Sequence, residues 1–309
     1  MKVVIPGGTG HVGASLQRHF LARGDEVVIV SRSGGDVRWD GRTLGQWVES
    51  IDGADVVINH AGRSVNCRYT AANMQQMIDS RVESTRIVGE AIASVKNPPK
   101  VWLQSSTATI YADRYDIAND ESTGIIGGNE PDSPSKWVGS IKIALAWEAE
   151  FDRAATPQTR KIAMRSAMTM SPDKGSIFNV LCSLTKRGLG GRIGSGRQFI
   201  SWIHETDFSS AIDFVIANEF LAGAINFAAP NPLPQADFQK ILRKNLGVKV
   251  GLPATKWMAE IGALVMGTET ELILKSRRVV PRVLLDSGFS FQFPNCDEAS
   301  QDLVAKSNG

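Results

Sequence analysis

The most specific chemical signal in the chain lies near its start, in Gly7-Gly8-Thr9-Gly10-His11-Val12-Gly13. The glycines at 7, 10 and 13 form G-x-x-G-x-x-G. In that spacing Gly7 permits a tight turn, Gly10 lets a pyrophosphate approach the backbone, and Gly13 lets a helix pack closely on a strand. The helix that follows offers unpaired N–H groups and the positive end of its dipole to an anion. The pattern follows the apolar run Val3-Val4-Ile5 directly and opens a helical stretch, which is the context a dinucleotide site requires. The next apolar run, Val27–Val30, ends in Ser31-Arg32-Ser33 with no acidic residue. A carboxylate at that tip holds the ribose 2′-OH of NAD and repels a 2′-phosphate, whereas a guanidinium grips the phosphate in bidentate fashion. Ser31 and Arg32 therefore point to NADP(H).

Weaker signals lie further along. His60-Ala61-Gly62 follows the run Ala54–Asn59, at the sheet edge where open α/β folds bind ligands. Its backbone is expected to touch the cofactor, with the imidazole as bystander. Arg192 and Arg197 flank Gly194-Ser195-Gly196. Two guanidiniums beside a glycine turn can hold a substrate phosphate or carboxylate, and surface ion pairs are an equally open reading. Gln198 and Trp202 are candidates for the same cleft wall, although Trp202 fits a core position as well. Arg277 and Arg278 have no assigned partner. His204 and Asp207, in Trp202-Ile203-His204-Glu205-Thr206-Asp207, suit a helix start and a structural tie.

These residues must be positioned by the elements around them. Short β-branched runs at Val3–Ile5, Glu26–Val30, Ala54–Asn59, Val101–Ser106 and Lys161–Arg165 alternate with helical stretches at Val12–Ala22 and Ala71–Val95. That alternation predicts a parallel sheet covered on both faces, with right-handed crossovers. The fold class expected is α/β, a Rossmann doubly wound parallel sheet with a small C-terminal α+β substrate lobe. Residues 1–168 form the NADP-binding part, with its sheet completed by about 203–229. Residues 169–202 and 230–305 form the lobe. Between Asp113 and Ser135 the pattern lapses into Gly, Asn, Asp, Ser and Pro, which predicts a long loop of the kind that often covers a site.

Composition narrows the class. With 309 residues and 42% hydrophobic content the chain is long enough for two lobes. A net charge of +2 offers no field for nucleic acid or an anionic membrane, so neither is expected as a partner. No apolar run reaches the roughly 18–20 residues of a membrane span, and no secretory leader is recognisable. The three cysteines, Cys67, Cys182 and Cys296, lack metal-ligand spacing and form no disulfide framework. They fit a reducing, cytoplasmic setting, with no metal site expected.

The residues together resemble a known family. G-G-T-G-x-V-G at the start, His60-Ala61-Gly62, and Ser105-Ser106-Thr107-Ala108-Thr109-Ile110-Tyr111 are similar to the extended short-chain dehydrogenase/reductases. A narrower resemblance covers nearly the whole chain: Val65–Thr70, Ser80-Arg81-Val82, Trp147–Glu150, Gly188–Asp207, Asn226–Pro230 and the tail Arg278–Phe291. They look like the atypical YfcH-type epimerase family, whose C-terminal segment is a domain of unknown function.

The resemblance implies an NADP(H)-dependent oxidoreductase or epimerase acting on a small oxygenated substrate that it does not identify. Superfamily chemistry uses a Ser or Thr together with Tyr and Lys spaced Y-x-x-x-K on one helix face. The lysine charge lowers the phenol pKa so that it exchanges a proton with substrate, while the nicotinamide exchanges hydride. Thr107 matches the hydroxyl residue and Lys142 the lysine. Four residues before Lys142, however, stands Val138, which has no proton to give. Tyr111 is the candidate substitute, and Tyr115 a lesser one. The missing tyrosine keeps a second reading open, a non-catalytic NADPH-binding sensor or regulatory protein. Extended relatives often dimerise through two helices, which here would be Ala71–Val95 and Ser140–Arg153; the resemblance makes a homodimer possible, and the apolar faces of these helices leave the oligomeric state open.

Overall fold

The computed structural model describes residues 1–130, 134–265 and 267–308. Along the chain run β1 (Lys2–Pro6), α1 (His11–Ala22), β2 (Glu26–Ser31), β3 (Val37–Arg38), β4 (Val56–Asn59) and α2 (Ala71–Ser94). Then come β5 (Val101–Thr107), α3 (Ser135–Arg153), β6 (Arg160–Ser166), β7 (Met168–Met170), α4 (Ile177–Leu184), β8 (Phe199–Ile200) and β9 (Trp202–His204). The remainder is α5 (Glu205–Ala217), β10 (Gly223–Phe227), β11 (Leu233–Pro234), α6 (Gln235–Asn245), α7 (Lys256–Val265), α8 (Glu271–Leu274), α9 (Arg282–Asp286) and α10 (Cys296–Asn308).

Seven strands form one sheet in the order β10-β6-β5-β4-β1-β2-β3, and every pairing is parallel. This is the doubly wound Rossmann arrangement. The strand order reverses between β1 and β4, which opens a crevice at the carboxyl ends of those strands. The sheet is apolar on both faces because helices cover both. Side chains alternate between two cores along each strand. Val3, Ile5, Ile58, Leu103 and Met164 pack against Leu16 and Phe20 of α1 and Phe208 and Ile212 of α5. Their neighbours Val4, Val57, Trp102 and Ala163 pack against Ile87, Val88 and Ala91 of α2 and Phe151 of α3.

A third core lies outside the sheet. Met170, Phe178, Trp202, Phe238, Leu242, Ala299 and Leu303 join β7, β9, α4, α6 and α10. Trp202 is fully buried there, so it is a core residue and lines no cleft.

The long loop after β5 is stitched down over its described part, and residues 131–133 of it lie outside the described residues. Asn119 exchanges backbone hydrogen bonds with Arg278 and Val280. The Glu121 carboxylate accepts from the backbone N–H groups of Asn226, Arg282 and Val283. Residues 113–130 therefore belong to a fixed layer shared with the C-terminal segment, in contrast to the lid such loops often provide.

Candidate functional site

The glycine cradle sits at the strand-order reversal. Gly7 has φ +76°, and a Cβ there would lie 2.5 Å from the Ala61 backbone. A Cβ on Gly13 would lie 2.3 Å from the Gly8 carbonyl oxygen. Both glycines are thus fixed by backbone approach. Gly10 differs: a Cβ there would have no atom within 4 Å, and Gly10 caps α1 without a side-chain hydrogen bond. The first turn of α1 therefore faces open space with its N–H groups unclaimed by any side chain of the cap. Space above a helix N-terminus, between two immovable glycines, fits the pyrophosphate of a dinucleotide. Thr9 and Val12 belong to the same turn, and Thr9 Oγ1 lies 3.2 Å from Ser31 Oγ.

The far wall is β4 and its exit. Asn59 Oδ1 accepts from Ala61 N at 3.0 Å, and Ser84 Oγ donates to the Ala61 carbonyl at 3.3 Å, fixing the His60-Ala61-Gly62 turn. His60 Nδ1 lies 2.6 Å from Ser105 Oγ, while its Nε2 is buried without a partner among the described residues. Burial, and then the nearby His11, push the His60 imidazole down to about 4. Burial also holds His11 below its ordinary value, opposed by Asp173. Both rings are neutral near pH 7.

At the end of β2, Ser31 Oγ donates to the Ser33 carbonyl at 2.9 Å and Arg32 is exposed. A second guanidinium stands beside it, because Arg38 on β3 is in register with Ser31 and is also exposed. Among the described residues neither side chain makes an ion pair. Sequence reasoning missed Arg38, since a two-residue strand has no periodicity to betray it.

The residues matched to the superfamily's catalytic set lie on β5, the turn after it and α3. Thr107 ends β5, where its Oγ1 accepts from Thr109 N at 3.1 Å and caps a short turn. Tyr111 is 2% exposed; its hydroxyl donates to Asn226 Oδ1 and accepts from Arg165 Nη1, each at 3.0 Å. Arg165 is itself held by Glu148. Burial raises the Tyr111 phenol above its ordinary value. Lys142 lies on the exposed face of α3 and makes no ion pair among the described residues. Thr107 stands at the carboxyl end of β5, Tyr111 packs in one small core with Ala144 of α3, and Lys142 is exposed on that helix.

A cluster of charge at this edge of the sheet was not singled out from the sequence. Arg277 Nε donates to Thr109 Oγ1 at 3.0 Å and its Nη2 to Glu271 Oε1 at 3.1 Å. Glu271, 1% exposed, also accepts from Ser140 Oγ at 2.8 Å. Its Oε2 is buried with no partner among the described residues. Lys275 Nζ donates to the Thr109 carbonyl at 2.7 Å; burial, then Arg277, push its ammonium down to about 8. Glu269 receives Tyr69 N at 2.8 Å and Lys136 Nζ at 2.9 Å. Only three-dimensional contact joins these residues, so no local spacing reveals them.

On the substrate side, Arg192 and Arg197 are exposed and without ion pairs among the described residues. Gln198 is 2% exposed and donates to the carbonyls of Ile193 and Ile273, at 3.1 and 3.4 Å. It is an internal tie and does not line the cleft. A pocket of about 480 Å³ is lined by Asp113, Arg114, Tyr115 and Glu130, among others. Among the described residues no group of three or more potential metal ligands comes together, and no helix is long and apolar enough to cross a membrane.

Comparison with known proteins covers the whole chain. The NAD dependent epimerase/dehydratase family matches residues 3–227, and a domain of unknown function, DUF1731, matches residues 255–303. Bovine epimerase family protein SDR39U1 is 30% identical over 311 residues, covering 99% of this chain and 100% of the relative. Epimerase family protein YfhF of Bacillus subtilis (strain 168) is 28% identical, covering 99% and 98%. The crystal structure of human SDR39U1 (isoform 2) with NADPH superposes with a TM-score of 0.86 at 26% identity, covering 99% of both chains. UDP-N-acetylglucosamine 4-epimerase from Bacillus cereus, at 16% identity and a TM-score of 0.74, shares the fold.

Proposed function

Because the chain belongs to the NAD dependent epimerase/dehydratase family, we propose that it binds NADP(H) in the crevice and exchanges hydride with a small oxygenated substrate. The pyrophosphate would lie over Gly10 and the N-terminus of α1, framed by Gly7, Thr9, His11, Val12 and Gly13. Arg32 and Arg38 would grip the 2′-phosphate, and Ser31 would support them through Thr9. The His60-Ala61-Gly62 turn would form the far wall. The nicotinamide supplies or accepts the hydride, and Thr107 would hold the substrate oxygen near it. Residues 1–168 and about 203–229 would serve the cofactor. Residues 169–202 and 230–305 would serve the substrate, with Arg192 and Arg197 as its anion contacts.

The observation that carries the reading is the combination of an open Gly10 turn with two guanidiniums at the tips of β2 and β3 that make no ion pair among the described residues. NADPH binding in human SDR39U1 agrees with it. The test is titration with NADPH and NADH, followed by nicotinamide fluorescence. Tight NADPH and weak NADH binding are expected. Arg32→Ala should weaken NADPH by roughly 10- to 100-fold, the worth of a charge-assisted bidentate contact, and leave NADH nearly unchanged. Equal loss for both would refute the 2′-phosphate assignment.

Lys142, exposed and without an ion pair among the described residues, and the valine at 138 favour one alternative, an NADPH-binding sensor without turnover. It is distinguished by NADPH binding without oxidation across a broad panel of small aldehydes, ketones and quinones.

A further inference from the structure

The net charge of +2 hides an uneven distribution. Residues 174–204 and 238–259 carry ten of the 34 lysines and arginines and none of the 32 aspartates and glutamates. The fold brings parts of these two stretches together. Leu252 N donates to the Gly188 carbonyl, Ala254 N to that of Arg192 and Gly194 N to that of Ala254, each at 2.8 Å. Glycine permits the approach, since a Cβ on Gly191 would lie 2.2 Å from the Leu252 carbonyl oxygen. Lys186, Arg187, Lys249 and Lys256 belong to this strip, all exposed and without an ion pair among the described residues. At its Arg187 end opens a cavity of about 410 Å³, lined by Lys186 and Arg187 with Asn179, Ser183, Leu246 and Val304, among others, and by no carboxylate.

At the other end of the strip, α7 turns its large side chains outward. Ala263 is buried, whereas Trp257, Ile261 and Leu264, spaced i, i+4 and i+7 along one face, are 63, 53 and 63% exposed. Met258 beside them and Val250 and Leu252 just before the helix are exposed as well. Six large apolar side chains within 15 residues make a patch, in contrast to the singly scattered apolar residues of an ordinary surface. The one acid of α7, Glu260, accepts from Thr270 Oγ1 at 2.9 Å.

Charge and apolar surface together decide between occupants. A second copy meeting this face through a twofold axis would set the same cations against one another. A nucleic acid would use the cations and leave the apolar side chains in water. An anionic bilayer surface satisfies both, because its headgroups take the cations while the boundary with the acyl chains takes Trp257, Ile261 and Leu264. The acidic excess elsewhere in the chain does not cancel this local field, since exposed charges more than roughly 8 Å apart are largely screened at physiological salt. No helix among the described residues is long and apolar enough to cross a membrane, so the contact is with the surface alone. We propose that the strip formed by residues 186–192 and 249–264 docks on a membrane surface rich in anionic lipid headgroups.

The test is cosedimentation of the full-length protein with vesicles of phosphatidylcholine alone and of equimolar phosphatidylcholine and phosphatidylglycerol. Binding is expected to the mixed vesicles only, and it should weaken as salt is raised. Lys249→Gln combined with Lys256→Gln should weaken it by about 10- to 30-fold, the worth of two lysines at an anionic surface. Trp257→Ser combined with Leu264→Ser should weaken it by about tenfold or more. All four positions are exposed, so both double variants should keep the wild-type unfolding midpoint and an NADPH Kd within about twofold. Equal binding to the neutral vesicles, binding that either double variant leaves unchanged, or no binding to either vesicle would overturn the proposal. In the last case, a dimer seen by light scattering and abolished by Ile261→Glu would give the face to a second copy. Each of these outcomes leaves the cofactor reading where it stands.

Discussion

The glycine cradle and the charged cluster beyond β5 are made by opposite means. The cradle at Gly7–Gly13 works by having no side chains: its walls are backbone, and a single added methyl at Gly7 or Gly13 would meet main-chain atoms at 2.5 Å or less. The edge around Glu271 and Arg277 works by having many: two ion-paired glutamates, each 1% exposed, meet Arg277, Lys136 and Arg68 there, with the buried Lys275 beside them. The cradle should tolerate changes of charge and reject changes of volume. The edge should do the reverse. A backbone cradle and a charged cluster thus share one sheet while differing in what each is sensitive to.

The sharpest way to break that contrast is Glu271→Ala. It strands Arg277 and Ser140, and loss of one partner from a buried pair costs about 3–5 kcal/mol. Thermal and urea unfolding should register that loss, whereas Glu271→Gln, which keeps the volume and one acceptor, should cost less. Equal and small effects would mean that the charge at this edge is incidental. Next in size is the pair Gly13→Ala and Gly10→Ala. Gly13→Ala should destabilise by about 1–3 kcal/mol through overpacking against the Gly8 carbonyl and abolish NADPH binding. Gly10→Ala meets nothing in the free protein, so its unfolding midpoint should scarcely move while NADPH affinity falls about tenfold or more. A matching loss of stability in both would place Gly10 in the packing and remove the case for a ligand above it.

A smaller effect sharpens the contrast by pH. His60 in the cradle wall and His204 at the start of α5 are both held down to about 4, in each case chiefly by burial. The unfolded chain takes up these protons near pH 6.5, its ordinary value, but the folded chain only near 4. Stability should therefore fall as pH drops from 6.5 towards 4. His60→Gln should flatten part of that slope, as read from the unfolding midpoint at each pH. An unchanged slope would mean that His60 titrates freely.

The cradle was readable because its information is local. The strand–glycine–helix order, the apolar alternation and the Ser31-Arg32 tip all lie within the first 32 residues, and the structure places α1 at His11–Ala22 where the pattern put Val12–Ala22. Five strands of the sheet, β1, β2, β4, β5 and β6, fall within a residue or two of their apolar runs for the same reason, since each run must be buried on both faces. The edge resisted because its members are remote: Tyr69 and Glu269 touch across 200 residues. Glu271 and Lys275 lie in and just after a single helical turn with no periodicity to read. Lys142 was assigned from its spacing to a tyrosine that is absent, and α3 turns it outward. Gln198 looked polar enough for a cleft, but its amide is consumed by the carbonyls of Ile193 and Ile273.

The attachment of residues 268–283 to residues 68–69, 109–114 and 119–121 also orders events in time. On the ribosome the Gly7–Gly13 turn and its β4 wall are finished early, after the first strands have emerged. The charged cluster has to wait for residues 268–283, about 200 residues beyond the Arg68 and Tyr69 that they bind. The local cradle and the long-range cluster are thus set by contacts of very different reach along the chain, the first closed within some sixty residues and the second only across about two hundred.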